Sequence, residues 1–499
     1  MPAVLSELLE HLRHRPGDQI VLESEHGSTS AAELVERIAF LAALLQARGA
    51  GTVGLLCENS VEWVVADLAC QFLRLRLVPL PTFFSDGQIQ YVLDAAMVDT
   101  LLYDSASGRR VAGLPGIAKG ATGNAQGLCL RSLEVGREAA MPAQTTKLTF
   151  TSGSTGTPKG VCLSTSQCLR VATSLGQAID IQSPRHLCAL PLSTLLENIA
   201  GVYLPLLWGG CSMVYSAANI GMAGSSGIQP EKFLQAIERL QPETMILVPQ
   251  LLSIIDEAVA RGWRAPDSLK FVAVGGGRVA PAVVARSRAA GLPVYEGYGL
   301  SECASVVSLN TPQAERPASS GRVLPHVEVE VDNGELLVSG NTFLGYLNQP
   351  DSWGAKQVRT GDLGSLDDEG FLTVDGRSKN VLVSSFGRNI SPEWVESELE
   401  AAGPIHQAVV VGDGMSYCSA LLWTSPDCGE ATLQAVIDEV NRRLPDYARV
   451  SRWQRLPEPL SVANGLLTEN GRPRRAAIAT ACGDLIARLY SEHQESIPS

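Results

Sequence analysis

The chain has 499 residues, beyond the size at which a single hydrophobic core stops growing, so two or more domains are expected. Hydrophobic residues make up 45% and charged residues 18%, the balance of a globular protein rather than a disordered or membrane-spanning one. The formal net charge of −13 argues against a broad nucleic-acid-binding surface, while leaving room for a local anion site.

Leu5, Leu8, Leu9 and Leu12 fall at helical spacing and predict a first amphipathic helix. A second starts at Ser30, with Glu33 three residues on as its capping-box partner. Leu34, Ile38, Leu41 and Leu45 make its buried face, and Gly49 stops it. Val53 to Cys57 is a short apolar run of the kind a buried parallel strand presents. The alternation recurs to about residue 300, which predicts α/β architecture with parallel sheets. The greasiest stretch, Ile199 to Tyr215, holds Pro205 and three glycines and follows Glu197, so it reads as buried core rather than a membrane span. Gly221 to Gly227 is small and polar and reads as a loop.

From about residue 305 the texture changes. Val327 to Val331 alternates with period two, and a turn at Asp332-Asn333-Gly334 leads into Glu335 to Val338, which predicts short antiparallel strands forming a small barrel. Beyond Gly376-Arg377 a smaller domain is expected. Asn380–Ser384, Ala408–Val411 and Ala420–Trp423 read as strands. Ser391-Pro392 reads as a helix start, and 430–444 and 475–490 as helices. The eleven cysteines form no CxxC pair, which points to neither a disulfide framework nor a zinc site and fits a reducing cytosol. Met1 to Glu7 carries no basic segment leading into an apolar core, so no signal peptide is expected and the cytoplasm is the predicted compartment.

The strongest chemical signal is Leu148-Thr149-Phe150-Thr151-Ser152-Gly153-Ser154-Thr155-Gly156-Thr157-Pro158-Lys159-Gly160. Glycines let the backbone approach an anion, hydroxyls and free N–H groups donate to phosphate oxygens, and a lysine adds charge. The common GxxxxGK[ST] loop does not fit, because Lys159 precedes Gly160 and no Ser or Thr follows it directly.

This segment resembles the phosphate loop of the acyl-adenylate-forming (AMP-binding) enzymes: acyl-CoA synthetases, peptide-synthetase adenylation domains and beetle luciferases. Other segments match in the family's order: Gly275-Gly276-Gly277, Gly297-Tyr298-Gly299-Leu300-Ser301-Glu302, Thr360-Gly361-Asp362 and Gly376-Arg377-Ser378-Lys379. The resemblance implies ATP, Mg²⁺ and coenzyme A as cofactors. Thr151, Ser152, Gly153, Ser154, Thr155, Gly156 and Lys159 would hold phosphates, with Thr151 and Lys159 also catalytic. Gly275 to Gly277, Gly297, Gly299 and Ser301 would frame the nucleotide, Tyr298 would stack on adenine, and Asp362 and Arg377 would bind ribose. Glu302 would hold Mg²⁺ and act in catalysis. Lys379 would be the pivot of a C-terminal domain that rotates between half-reactions, and Gly387 would leave room for the pantetheine arm.

The resemblance also places an acyl site around residues 189–203. Thr194 stands where long-chain synthetases often carry histidine, and Gly201, Gly275 and Gly299 would line the acid's path. The segment equally suits plain core packing. The main departure is near the end: Asn464 to Arg475 aligns with the family's closing motif, whose lysine stabilises charge as the adenylate forms, and here that position is Arg472. Three readings stay open there: slower adenylation, thiol transfer alone, or a nucleotide- or acyl-binding regulator.

The expected architecture is α/β. It has a large N-terminal domain (1–376) of two doubly wound subdomains and a small β-barrel, and a mobile α+β C-terminal domain (377–499). The expected activity is ATP-dependent activation of a carboxylic acid, a fatty acid by preference, and its transfer to coenzyme A. Loading of a carrier protein is the nearest alternative acceptor.

Overall fold

The computed structural model describes residues 3–114, 122–136, 139–151, 158–223, 227–385, 388–468 and 471–490. Two large mixed sheets carry the N-terminal part. Among the described residues the first runs in the order Gly345–Tyr346, Lys159–Leu163, Lys147–Thr151, Arg76–Pro79, Thr52–Leu56, Thr100–Tyr103, Leu128–Ser132 and Thr122–Ala125. Its centre is parallel and both flanks are antiparallel. The second runs Arg322–Val323, Ser305–Leu309, Val294–Leu300, Phe271–Val274, Thr244–Leu247, Arg185–Leu187, Cys211–Met213, Ile20–Ser24 and Gly27–Ser30. It is parallel from Val294–Leu300 through Ile20–Ser24. The central strands are nearly all buried, as continuous apolar runs require.

The helix Ala31–Ala47 buries Leu34, Ile38, Leu41 and Leu45, and the Ser30 hydroxyl accepts from the Glu33 N–H. Ser30 also ends the strand Gly27–Ser30, paired with Ile20, and only this half of the expected capping box forms among the described residues. The stretch from Ile199 is indeed core. It makes one π-helical turn, Ile199–Tyr203, and a short helix, Leu204–Leu207, before entering the second sheet at Cys211–Met213. No helix among the described residues is long and apolar enough to cross a membrane.

Val327–Asp332 and Glu335–Gly340 pair antiparallel around Asn333 and Gly334, both at positive φ as a tight hairpin needs. With Gln357–Leu366 and Leu372–Arg377 they make a four-stranded antiparallel sheet, whose end strands Val327–Asp332 and Leu372–Arg377 do not pair with each other among the described residues, an open sheet where a small barrel is expected. The C-terminal part has a three-stranded sheet (Ile405–Val411, Cys418–Thr424, Val450–Arg455) with helices Pro392–Glu400, Glu430–Arg443, Arg475–Ala481 and Gly483–Tyr490.

Two local expectations change. The strand expected from Asn380 is only Leu382–Val383, because Ser378–Asn380 forms a 3₁₀ turn and Asn380 Nδ2 donates to Glu393 Oε1 at 2.6 Å. The last helix is two, interrupted at Cys482 before Gly483, a poor helix former. All eleven cysteines are free thiols, nine of them buried.

Candidate active site

Several strand ends and turns carry the residues expected to bind the nucleotide. Phe271–Val274 runs into Gly275, Gly276 and Gly277, and Val294–Leu300 carries Gly297, Tyr298 and Gly299. Ser301 and Glu302 follow in the 3₁₀ turn Ser301–Cys303. Gly299 has a packing reason to be glycine, since a Cβ there would lie 1.9 Å from the Ser305 carbonyl oxygen.

Asp362, on Gln357–Leu366, is the centre of the polar cluster. Tyr298 donates its hydroxyl to Asp362 Oδ2 at 2.6 Å, and Arg377 Nε pairs with Oδ1 at 2.8 Å. Arg377 Nη1 also donates to the Thr360 carbonyl at 2.9 Å. Burial raises the Asp362 carboxyl above its ordinary range, opposed by the Arg377 charge and the Tyr298 hydroxyl. Burial and the Asp362 charge push the Tyr298 phenol up, so it remains a donor.

Arg472 reaches this cluster from the C-terminal part. Its Nε and Nη2 both donate to the Gly276 carbonyl, at 3.0 and 2.7 Å. Arg472 is exposed, and its guanidinium stays cationic at neutral pH.

In the first sheet, Thr151 and Lys159 face one another across the antiparallel pair that flanks the Ser/Gly/Thr loop. Ser152, Gly153, Ser154, Thr155 and Gly156 lie outside the described residues, as does Gly387. Lys159 Nζ sits 5.2 Å from the Tyr346 ring centroid, and Tyr346 donates its hydroxyl to Glu302 Oε1 at 2.8 Å. Glu302 belongs to no cluster of three His, Cys, Asp or Glu ligands among the described residues. A lone carboxylate suits Mg²⁺, which takes one or two carboxylates and completes its shell with phosphate and water. Lys379 is exposed in the turn Ser378–Asn380 after Gly376 and Arg377.

An apolar cavity of about 40 Å³ lies between the helix Thr165–Ile179 and the second sheet. Its walls include Leu175, Ile179, Leu196, Ala200, Phe271 and Val306. Neither Thr194, Gly201, Gly275 nor Gly299 is among its lining residues. Thr194 precedes the short helix Leu195–Asn198. Gly201 backs onto a buried pair: a Cβ there would lie 2.4 Å from Glu197 Oε1 and 3.0 Å from the His186 ring. His186 shares hydrogen bonds with Glu197 Oε1 and Thr244 Oγ1, both at 2.9 Å, which uses both ring nitrogens. Cys188 lies beside them, and its thiol is held far above the ordinary range by burial and the Glu197 charge.

Three residues beside these groups carry no motif signal: Tyr346 and Glu296 near the predicted nucleotide residues, and His186 at the apolar cavity. The Gly345-Tyr346 pair after an apolar run was the only local signal for the first. Glu296 directly precedes Gly297, and burial raises its carboxyl to about 7 against the opposing charges of Arg278 and Arg288. Its folded pKa is above its unfolded one, so its stabilising contribution is present below about 4.5 and is lost as pH rises to about 7. Glu296→Gln should therefore flatten the fall in melting temperature between pH 5 and pH 8, by up to about 3 kcal/mol of stability. Melting curves of both proteins across that range test this, and parallel pH profiles would refute it.

The chain belongs to the AMP-binding enzyme family. The family's principal domain matches residues 8–347, and its C-terminal domain matches 379–494. A long-chain-fatty-acid–CoA ligase of Mycobacterium bovis is 30% identical over 239 residues, covering 41% of this chain and only 39% of that relative. A 2-succinylbenzoate–CoA ligase of Bacillus subtilis is 28% identical over 425 residues, 79% of this chain and 82% of its own length. The structure of O-succinylbenzoate coenzyme A synthetase from Bacillus subtilis in complex with ATP and magnesium ion superposes with a TM-score of 0.76 at 25% identity, covering 94% of this chain and 98% of that one.

Proposed function

We propose that this chain is an AMP-forming acid–thiol ligase that activates an aliphatic carboxylic acid with ATP and transfers the acyl group to coenzyme A. The observation that carries the reading is that Tyr298, Asp362, Arg377 and Arg472 share one polar cluster, with the Lys159–Tyr346–Glu302 group within reach of the Arg377 charge. The first three form a nucleoside-sized polar cluster, and the others present the charges that polyphosphate chemistry needs. The division at 376/377 belongs to the same proposal: Gly376 and Arg377 end the four-stranded sheet, and Lys379 follows in the turn leading to the C-terminal part.

Tyr298 offers its ring to adenine, while Asp362 accepts from ribose hydroxyls and Arg377 donates beside it. Thr151 and Lys159, with the loop between them, hold the β- and γ-phosphates. Glu302 would hold Mg²⁺, which supplies charge neutralisation on the phosphates. The acid's carboxylate attacks the α-phosphorus and pyrophosphate leaves, with Arg472 countering the charge that builds there. The thiol then attacks the acyl carbon, AMP leaves with the bonding pair, and the thiol proton passes to solvent. The apolar cavity supports an aliphatic chain. At about 40 Å³ it is well below the size of an acyl pocket, so an acid would enter only by displacing lining side chains such as Leu196 and Leu175. The unpaired thiols support a reducing compartment, the cytoplasm.

The deciding experiment is ATP–pyrophosphate exchange across a panel of aliphatic, aromatic and dicarboxylic acids, followed by mass spectrometry of the product. Coenzyme A and a phosphopantetheinylated carrier protein would be offered side by side. The expected result is exchange with aliphatic acids and an acyl-CoA product. Acyl-carrier product alone would replace the acceptor. ATP binding without exchange for any acid would replace the ligase by a nucleotide-binding regulator.

A further inference from the structure

Tyr346 touches both charged residues proposed to face the polyphosphate. It lies on the two-residue strand Gly345–Tyr346, opposite Val161 and so beside the start of the strand that carries Lys159. Its hydroxyl donates to Glu302 Oε1 at 2.8 Å, and its ring faces Lys159 Nζ at 5.2 Å. Its own position is fixed from several sides. The Tyr346 N–H donates to Ser352 Oγ at 2.8 Å, its carbonyl accepts from Trp353 Nε1 at 2.9 Å, and the Phe343 ring meets it edge-on at 4.8 Å. The Phe343 N–H in turn donates to the Glu302 carbonyl at 2.7 Å.

An acidic and a basic side chain this close to a common neighbour would ordinarily pair with each other, and each would then be unavailable to a ligand. Here neither Glu302 nor Lys159 makes an ion pair among the described residues. The phenol satisfies one Glu302 oxygen with a neutral donor, and Oε2 has no hydrogen-bond partner among the described residues. The ring face meanwhile steadies the ammonium without neutralising it.

We infer that Tyr346 is a positioning residue: a neutral spacer that keeps Glu302 and Lys159 apart and unpaired, ready for a divalent cation and a phosphate respectively. The inference rests on the nucleotide-site reading proposed above.

Two variants separate the hydroxyl from the ring. Tyr346→Phe removes only the bond to Glu302, and Tyr346→Leu removes the ring face from Lys159 as well. ATP binding to the whole chain would be measured by calorimetry without Mg²⁺ and across a Mg²⁺ titration, with melting temperatures recorded alongside. Tyr346→Phe should raise the Mg²⁺ concentration at half-effect about tenfold, with magnesium-free ATP affinity unchanged. Tyr346→Leu should in addition weaken magnesium-free ATP binding roughly threefold. An unchanged Mg²⁺ midpoint in Tyr346→Phe, or equal losses in both variants that follow melting temperature, would overturn the spacer and leave the nucleotide site standing. Absence of ATP binding by the unsubstituted chain would overturn the site reading itself, and this inference with it.

Discussion

Arg472→Ala is expected to lower acid-dependent ATP–pyrophosphate exchange by about 100- to 1,000-fold, the usual loss when a preorganised charged donor is taken from a developing anion. Melting temperature should change little, because the side chain's bonds go to one carbonyl, that of Gly276, and no buried ion pair is broken. Arg472→Lys is the informative companion. A planar guanidinium can grip the Gly276 carbonyl through Nε and Nη2 together, whereas an ammonium is a compact point charge on a flexible stem. If Arg472 serves adenylation, the lysine variant should stay within about tenfold of the unsubstituted chain, since both side chains bring the charge. Silence in the unsubstituted chain with exchange in Arg472→Lys would mean that the first half-reaction has been lost here. Equal exchange in the alanine variant would remove Arg472 from the reaction altogether.

Lys147→Met should produce the largest loss of stability, about 3–5 kcal/mol, read as an earlier main transition in urea. Lys147 Nζ pairs with Asp67 Oδ1 at 2.9 Å, with side chains 4% and 0% exposed. It also bonds to Asn198 Oδ1 and the Tyr203 hydroxyl. Asp67 Oδ2 accepts in turn from Tyr203 at 2.6 Å and Asn198 Nδ2 at 2.9 Å, and Gln71 reaches the same hydroxyl. Removing the lysine strands a carboxylate with no water to replace the lost charge. Replacing both partners, as Asp67→Leu with Lys147→Met, should recover part of the loss, because the desolvation cost then disappears for both groups. A loss under 1 kcal/mol for Lys147→Met would show the pair to be energetically idle. The network joins the helix Val61–Leu73, the strand Lys147–Thr151 and the π-helical turn Ile199–Tyr203, which leads on from the wall of the apolar cavity. Loosening it should therefore weaken acid and ATP binding together.

The amino-acid sequence alone determined the class of this protein and most of its elements, because those signals are local. The hydroxyl- and glycine-rich turn before Lys159, the Tyr298 to Glu302 run and the Gly376 to Lys379 run are each a few consecutive residues, and their shared order along the chain is what carries the family resemblance. Strand and helix periodicities, and the Asp332-Asn333-Gly334 hairpin, are equally short-range. Where a short segment was misread, at Asn380 and Cys482, a side-chain partner or a poor helix former overrode the pattern. What only the tertiary structure decided is which groups meet. Glu302 finds Tyr346 across 44 residues, Tyr203 finds Asp67 across 136, and Arg472 finds Gly276 across 196. The acyl segment makes the same point: its periodicity suits a cavity wall and core equally, and the fold turns Leu196 and Ala200 to the cavity while Gly201 packs under His186 and Glu197. Charge, hydrogen bonding and close packing act over a few ångströms of space irrespective of separation along the chain, so these partnerships exist only once the sheets have assembled.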